Sequence, residues 1–345
     1  MARRQHPLWE LTRARLLEFI REPEAIFWVF VFPVLLALGL GIAFRNRPAE
    51  SLRIAVQEGP GAVPLAENLD NSPELRARVL PAAVAQNDLR TGKLALVVIP
   101  GDSVTFVYDP TRSEGRLARR VVDDAVQRAA GRSDPRATGE RHLTEPGSRY
   151  IDFLIPGLLG LNLMGSGMWG IGFNIVQARR RRLLKRLLAT PMLRSHYLLA
   201  YALSRFIFML AELAALVGFG WLVFDVRVHG SVIDLLMVSA IGALAFSGLG
   251  LLAASRARTV EGVSGIMNLI MMPMWIFSGV FFSYANFPDA MQPFIHALPL
   301  TPLLDALRSV MTDGAPLVES LHRLAIVGAW GGLSFAAALK IFRWS

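Results

Sequence analysis

The sequence contains no cysteine, which excludes disulfide bonds and cysteine-ligated metal sites. Its six histidines are scattered along the chain without a pair at ligand spacing, so we expect no metal site. A phosphate-binding loop is also missing, because the only Gly-Lys pair, Gly92-Lys93, is followed by Leu94 instead of serine or threonine. No motif of a hydrolase or an intramembrane protease is present. We therefore expect no catalytic residues, no cofactor held by this chain and no enzyme activity.

Long apolar segments dominate the chain, which is 53% hydrophobic with a mean hydropathy of +0.42. Because these segments exceed what a globular core uses, they predict a polytopic membrane protein. The formal net charge of +9 would suggest a nucleic-acid partner in a soluble protein. Here much of the basic charge lies beside apolar segments, where membrane lipid and topology explain it. We therefore expect contact with lipid and none with nucleic acid.

Six apolar segments are long enough to cross a bilayer as helices. They cover residues 26–44, 151–176, 197–224, 232–254, 262–282 and 324–342. Residues 1–25 mix arginines with apolar residues at helical spacing, which predicts a cytoplasmic interfacial helix ending at Pro23. Between the last two segments, the prolines and aromatic residues of 283–323 predict short helices at the outer interface. Because short basic loops stay in the cytoplasm, the Lys and Arg distribution predicts that both termini lie inside.

Residues 45–150 have a different composition, with 16 Lys or Arg, 14 Asp or Glu and no apolar run long enough to span. Their residue patterns predict strands at 51–57, 94–100 and 103–108, and helices at 64–70, 82–91 and 115–130. A segment of this size can form one small α/β domain. The predicted fold class is an all-α polytopic membrane protein of six transmembrane helices, with an extracytoplasmic α/β domain inserted between helices one and two. The other five helices lie in residues 151–345.

The loop at 177–196, between the second and third apolar segments, is strongly basic. From Ala178 to His196 it holds seven Lys or Arg and no acid. Its leucines recur at helical spacing opposite basic residues, and Pro191 should end this short helix. Two interpretations are open: a charge cluster that sets topology against anionic lipid, and a helix that docks a cytoplasmic partner. The residues concerned are Arg182, Lys185, Arg186, Leu187, Leu188 and Pro191.

Glu212 lies near the middle of the third apolar segment, where a charged acid costs roughly 2.5–3.5 kcal/mol on insertion scales. Arg205 lies seven positions earlier, about 10 Å along the helix axis, so we expect no direct salt bridge between them. Arg205 is also near enough to the cytoplasmic face to extend its guanidinium towards water. For Glu212, a structural partner on another helix and a place on a transport path are both open. Asn162 and Asn268 are further candidates for that path.

Glycine is unusually frequent in the second apolar segment. Small residues at this density allow another helix to approach closely, but they are equally typical of a flexible, kinked helix. Both interpretations are open for Gly160, Gly165, Gly167, Gly170 and Gly172.

Several short motifs, in this order, resemble those of type-2 ABC exporter permeases. They are Arg21-Glu22-Pro23, Phe153-Leu-Ile-Pro-Gly157, Lys185-Arg-Leu-Leu-Ala-Thr-Pro191, Ser278-Gly279-Val-Phe-Phe282, Phe287-Pro288, Leu298-Pro-Leu-Thr-Pro302 and Ala306-Leu-Arg308. The resemblance extends over essentially the whole chain. One departure stands at the start of the basic loop, where the family has an acidic Glu-Arg-Glu-like run and this chain has Ala178 followed by four arginines.

The resemblance implies a half-transporter in the bacterial cytoplasmic (inner) membrane. In that family two permeases, identical or related, form the pathway, and two cytoplasmic ABC ATPase subunits, which hold ATP and magnesium, dock on the loop after the second helix. It favours docking as the role of the basic loop. Two alternatives are a membrane receptor whose external domain binds a ligand, and an ATP-independent secondary carrier. The cytoplasmic parts are short for a receptor, and we find no repeated halves of the kind that many carriers have.

The predicted topology can be tested by labelling, because the chain has no cysteine of its own. We expect Ser113→Cys to react with an impermeant thiol reagent in intact cells and Ser195→Cys to react only after lysis. Labelling of residue 195 from outside would contradict the whole arrangement.

Overall fold

A computed structural model describes residues 7–45, 51–101, 103–133, 149–180, 194–257 and 259–341. The chain divides into two compact units. One, here called the helical unit, comprises Met1–Arg45 and Leu143–Ser345, and the other, the α/β unit, comprises Asn46–His142.

Within the described residues, six helices are long and apolar enough to cross a membrane, which confirms the six predicted segments. We call them spans one to six: Pro23–Phe44, Tyr150–Arg180, Leu203–Phe224, Val232–Ala254, Val260–Phe277 and Leu317–Ile341. The predicted N-terminal helix is present as Pro7–Ile20. Its Phe19 packs against Phe208 of span three, with ring centroids 4.3 Å apart.

The two ends of the helical unit can be defined by contacts. At the insertion end, the rings of Phe44 and Tyr150 lie 4.3 Å apart, and Arg149 bonds to the carbonyl of Phe224. At the loop end, the C-terminus of span two meets the C-terminus of span four through Arg179.

Span two is the centre of the helical unit, and glycines let its neighbours approach it. A Cβ on Gly250 of span four would lie 2.6 Å from the carbonyl oxygen of Met168. On the other side of span four, a Cβ on Gly248 would lie 2.8 Å from the carbonyl oxygen of Gly331 in span six. Spans two, four and six therefore pack with their backbones in near contact, which only small residues permit.

The glycines of span two do not all have the same role. Gly160, Gly167 and Gly172 face Leu304, Phe246 and Met267 so closely that a Cβ would meet each of these side chains at 3.0 Å or less. Gly170 has nothing within 4 Å and Gly165 only a methyl group at 4.0 Å. Close helix approach is thus confirmed for three of the five and fails for the other two.

The segment between spans five and six is folded, as predicted, into short helical pieces. They are Tyr284–Asn286, Asp289–Met291, Gln292–Ala297 and Leu300–Met311. Span five ends at Phe277, earlier than predicted, because Gly279 adopts a positive φ of 82° and turns the chain. Helix Leu300–Met311 is almost entirely buried, and it packs against spans two, four and six.

The α/β unit contains a four-stranded sheet. Its strands are β1 (Leu52–Gln57), β2 (Leu75–Leu80), β3 (Leu96–Ile99) and β4 (Thr105–Val107), in the order β2-β1-β3-β4. β1 pairs in parallel with β2 and β3, and β4 is antiparallel to β3. The predicted helices appear as Ala62–Asp70, Ala82–Arg90 and Ser113–Ala129.

Strand β2 was not predicted, because arginines 76 and 78 interrupt its apolar residues. Its signal was an alternation of period two: Leu75 is buried in the core of the unit, and Ala77 and Val79 pack against it, while both arginines are exposed. The remaining predicted elements are confirmed with end shifts of a few residues.

Glycine packing between spans two and four generates a stability prediction. Gly250→Ala should lower the apparent melting temperature in detergent, because backbone atoms of Met168 occupy the place of the new Cβ. Overpacking of this kind costs about 1–3 kcal/mol. Gly170→Ala, which has nothing within 4 Å, is the matched control and should melt like the parent or slightly higher. Equal melting of the two variants would contradict the close packing.

Candidate functional site

A polar network inside the membrane region begins at Pro33 in span one. Proline lacks the N–H that, in an α-helix, would donate to the carbonyl four residues earlier, here that of Val29. The chain adopts a π-helical turn at Phe27–Val31, and Asn162 of span two donates its amide N–H to the Val29 carbonyl at 3.0 Å. Since hydrocarbon offers no hydrogen-bond partner, Asn162 supplies the donor that proline removed.

Ser166 lies one helical turn after Asn162 on the same face of span two. Its hydroxyl lies 2.6 Å from the carbonyl oxygen of Asn162 and 3.0 Å from Oε2 of Glu212 in span three. The hydroxyl carries one proton, which can serve one of these acceptors at a time. Ser166 therefore joins the Pro33–Asn162 contact to the acid of span three.

Glu212 and Arg205 form a buried ion pair within span three. The guanidinium Nη1 of Arg205 lies 2.9 Å from Oε1 of Glu212, and the side chains are 9% and 1% exposed. Arg205 also points Nη2 at the carbonyl of Leu163 in span two, at 3.5 Å. The network thus runs from span one through span two to span three.

This pair corrects the prediction that the two residues cannot meet on one helix. The error was to compare axial positions only. Helical side chains lean towards the N-terminus, so Glu212 points towards Arg205, and the long arginine side chain extends along the helix to cover the remaining distance. The alternative of Arg205 extending towards water is also wrong, because the residue is 8% exposed.

The energetic weight of the pair follows from its burial. Two charges taken out of water need both each other and further hydrogen bonds, and removing one partner leaves the other uncompensated. Glu212 has Arg205 and Ser166, and Arg205 has Glu212 and a backbone carbonyl. Such a network can hold three spans in one arrangement, and it can also separate if the spans move apart. Among the described residues, no cluster of three metal-ligating side chains accompanies it.

At the insertion end, Arg149 holds the start of span two against the end of span three. Its guanidinium donates to both carboxylate oxygens of Asp152, at 2.8 and 2.9 Å, and to the carbonyl of Phe224 at 2.9 Å. The hydrogen bond to Asp152 raises the pKa of Arg149. This arginine therefore satisfies a carbonyl that the C-terminus of a helix leaves without an intrahelical partner.

Arg308 has a comparable role in the buried helix Leu300–Met311. Its guanidinium carbon lies 3.7 Å from the ring centroid of Phe153, and it donates to the carbonyl of Gly279. Burial lowers the pKa of Arg308 to about 10, so the group stays protonated at neutral pH. The hydroxyl of Tyr150 donates to the neighbouring carbonyl of Phe281 at 2.9 Å. Together they attach the turn after span five to the start of span two.

Three of the four predicted path residues, Asn162, Arg205 and Glu212, belong to the polar network. Asn268 does not, since it lies exposed on span five. The predicted docking residues of the basic loop lie outside the described part of the chain: Arg182, Lys185, Arg186, Leu187, Leu188 and Pro191. Sequence reasoning missed Ser166 and the contact to Val29. Their signal was a proline in one apolar segment together with an Asn-x-x-x-Ser pair in the next.

The fold and this network define a polytopic membrane protein whose spans are joined by buried polar contacts. Comparison with known families assigns it further. The sequence profile described as "ABC-2 family transporter protein" matches residues 23–340, so the chain belongs to that family.

Two curated relatives carry similar sequences. The linearmycin resistance permease protein LnrN of Bacillus subtilis is 26% identical over 183 residues, which are 51% of this chain and 46% of the relative. The chain thus spans about half the length of that protein. The inner membrane transport permease YadH of Escherichia coli K12 is 22% identical over 204 residues, 58% of this chain and 75% of the relative.

The ion pair leads to a double-mutant prediction. Arg205→Gln and Glu212→Gln should each lower the free energy of unfolding by about 3–5 kcal/mol, because each leaves one buried charge unpaired. The double variant should recover most of that loss, since no charge is then left alone. Denaturant unfolding in detergent measures all three. Additive losses in the double variant would contradict the coupling.

Proposed function

We propose that this permease is the membrane-spanning half of an ATP-driven exporter. Two copies, or this chain and a related one, would form the pathway, and separate cytoplasmic ATPase subunits would bind ATP with magnesium. One observation carries the proposal: the chain matches a transporter family over residues 23–340, yet its sequence has no phosphate-binding loop. ATP-driven transport by such a chain requires a partner that hydrolyses ATP.

Within the basic loop at 177–196, residues 182–191 are the proposed docking surface for the ATPase. In this proposal its leucines insert into an apolar cleft of the partner while its basic residues face the cytoplasm. An apolar stripe beside Lys and Arg suits an amphipathic helix at a partner surface as well as at anionic lipid. Lipid contact and protein docking would therefore use the same residues. An experiment is needed to distinguish the two roles.

The proposed location is the bacterial inner membrane with both termini in the cytoplasm, which places the α/β unit outside. The distribution of Lys and Arg supports this orientation. A relative named as an inner membrane transport permease supports the location.

The dimer and its pathway gain support from burial. In an apolar stretch of 18 residues taken from each span, 17% of the residues of span one and 22% of those of span five are buried within the chain. In span two the share is 78%. Span five also exposes Asn268 midway along its length. An amide facing hydrocarbon is costly without a partner, so this face suits a second copy or a wet path. The side chains of Arg205 and Glu212 would line a transport path only if the pair separated during the transport cycle.

The family match weakens both alternatives. A receptor and a secondary carrier would use the same six spans, but neither needs an ATPase that remains bound to the basic loop. Recovery of an ATPase with the purified permease therefore separates the exporter from both.

The docking prediction concerns Leu187 and Leu188. Replacing both with alanine should weaken the permease–ATPase complex at least about thirty-fold, because each lost apolar side chain removes roughly 1–3 kcal/mol of burial and two are lost. A pull-down of the ATPase by purified permease measures this, and labelling at Ser195→Cys checks insertion.

Leu222→Ala/Leu333→Ala is the matched control, because it removes two leucines that are 76% and 72% exposed on spans three and six. It should retain the ATPase. Full retention of the ATPase by the Leu187/Leu188 variant would show that the basic loop sets topology alone.

A further inference from the structure

Arg179, in the last turn of span two, bonds to a different part of the chain. Its Nη1 donates to the carbonyl of Ala257 at 2.8 Å and to that of Ala254 at 3.3 Å. Its Nη2 lies 3.4 Å from the carbonyl of Ser255. These carbonyls lie at and just after the end of span four, where the last turn of a helix leaves acceptors without intrahelical donors. One guanidinium from span two therefore caps span four.

The capped turn leads directly into span five. Ser255 and Ala257 are buried, while Arg256 between them is exposed. The hydroxyl of Thr259 accepts a hydrogen bond from the backbone N–H of Gly262 at 3.1 Å, which caps the start of span five. Since Ala257 precedes Thr259 by two residues in the sequence, the guanidinium of Arg179 holds the backbone at the end of span four, close to the start of span five.

On the other side, Arg179 stands three residues before Arg182, the first residue of the proposed docking surface. Arg180, its neighbour, is exposed. Span two is therefore connected covalently to the docking surface and by hydrogen bonds to the turn that starts span five.

We propose that Arg179 is the positioning residue that transmits movement of the ATPase-docking loop to span five. Its planar fork donates from two nitrogens to three carbonyls, which makes the end of span two and the turn after span four move together. Span five is one of the two spans least buried within the chain, so it is free to move against a second copy. This role rests on the proposed function, because the movement comes from the docked ATPase.

The first experiment tests the connection itself and needs no ATPase. Spin labels at Gln177→Cys and Arg256→Cys in the otherwise cysteine-free permease report the distance across the contact. The parent should show one narrow distance distribution, and Arg179→Gln should broaden it at least twofold. Arg180→Gln, which makes the same charge change one residue later, is the matched control and should stay narrow.

The second experiment tests transmission in the complex with its co-purified ATPase. A single label at Leu269→Cys, a site 76% exposed on span five, reports the distance between two copies. Adding ATP and Mg²⁺ should shift that distance in the parent and in Arg180→Gln. In Arg179→Gln the shift should disappear while the ATPase stays bound and hydrolyses ATP.

The outcomes distinguish this inference from the proposed function. Should the parent show no bound ATPase or no ATP response, the proposed function fails, and the 177–256 distance alone decides whether Arg179 makes the connection. If Arg179→Gln behaves like Arg180→Gln in both experiments, the inference is overturned.

Arg179→Lys keeps the charge but offers one nitrogen in place of two. It replaces the Gln variant if that variant does not accumulate, and it should also broaden the distribution.

Discussion

The helical unit depends on one constraint: hydrocarbon offers no hydrogen-bond partner, so every polar group in the spans must find its partner within the protein. Pro33 removes a donor from span one, and Asn162 of span two supplies a donor in its place. Glu212 introduces a charge, and Arg205 of its own helix neutralises it at 2.9 Å while the hydroxyl of Ser166 lies 3.0 Å from its second oxygen. Each contact satisfies a buried polar group, and together the contacts set the positions of spans one, two and three.

Span two holds this central position because glycine and polar residues alternate along it. Where Gly160, Gly167 and Gly172 face their neighbours, the absence of a side chain lets side chains of other helices pack directly against span two. Where Asn162 and Ser166 face spans one and three, the same helix offers hydrogen bonds. Close approach brings donors and acceptors on neighbouring helices within bonding distance, and the bonds in turn fix the register in which the glycines meet their partners. Packing and polar contacts are therefore interdependent on this helix.

The sequence was sufficient for the features that depend on one segment at a time. Apolar length marked the six spans, and alternation marked three of the four strands. It was insufficient where the reach of a side chain or a contact between two segments decides the structure. The Arg205–Glu212 pair was missed because spacing along an axis says nothing of side-chain reach, and Asn162 drew attention as a path residue when its partner was a backbone carbonyl in span one. Which glycines touch a neighbour likewise depends on how helices pack.

At each end of span two, an arginine donates hydrogen bonds to backbone carbonyls at the end of a neighbouring span. Arg149 reaches the carbonyl of Phe224 at the end of span three, and Arg179 reaches the carbonyls that follow span four. Both helices end at carbonyls that need donors, and both obtain them from span two. A displacement of span two along its axis must therefore break these hydrogen bonds or carry the ends of spans three and four with it. Since breaking them would leave charged donors and carbonyls poorly paired, concerted movement is the lower-energy response.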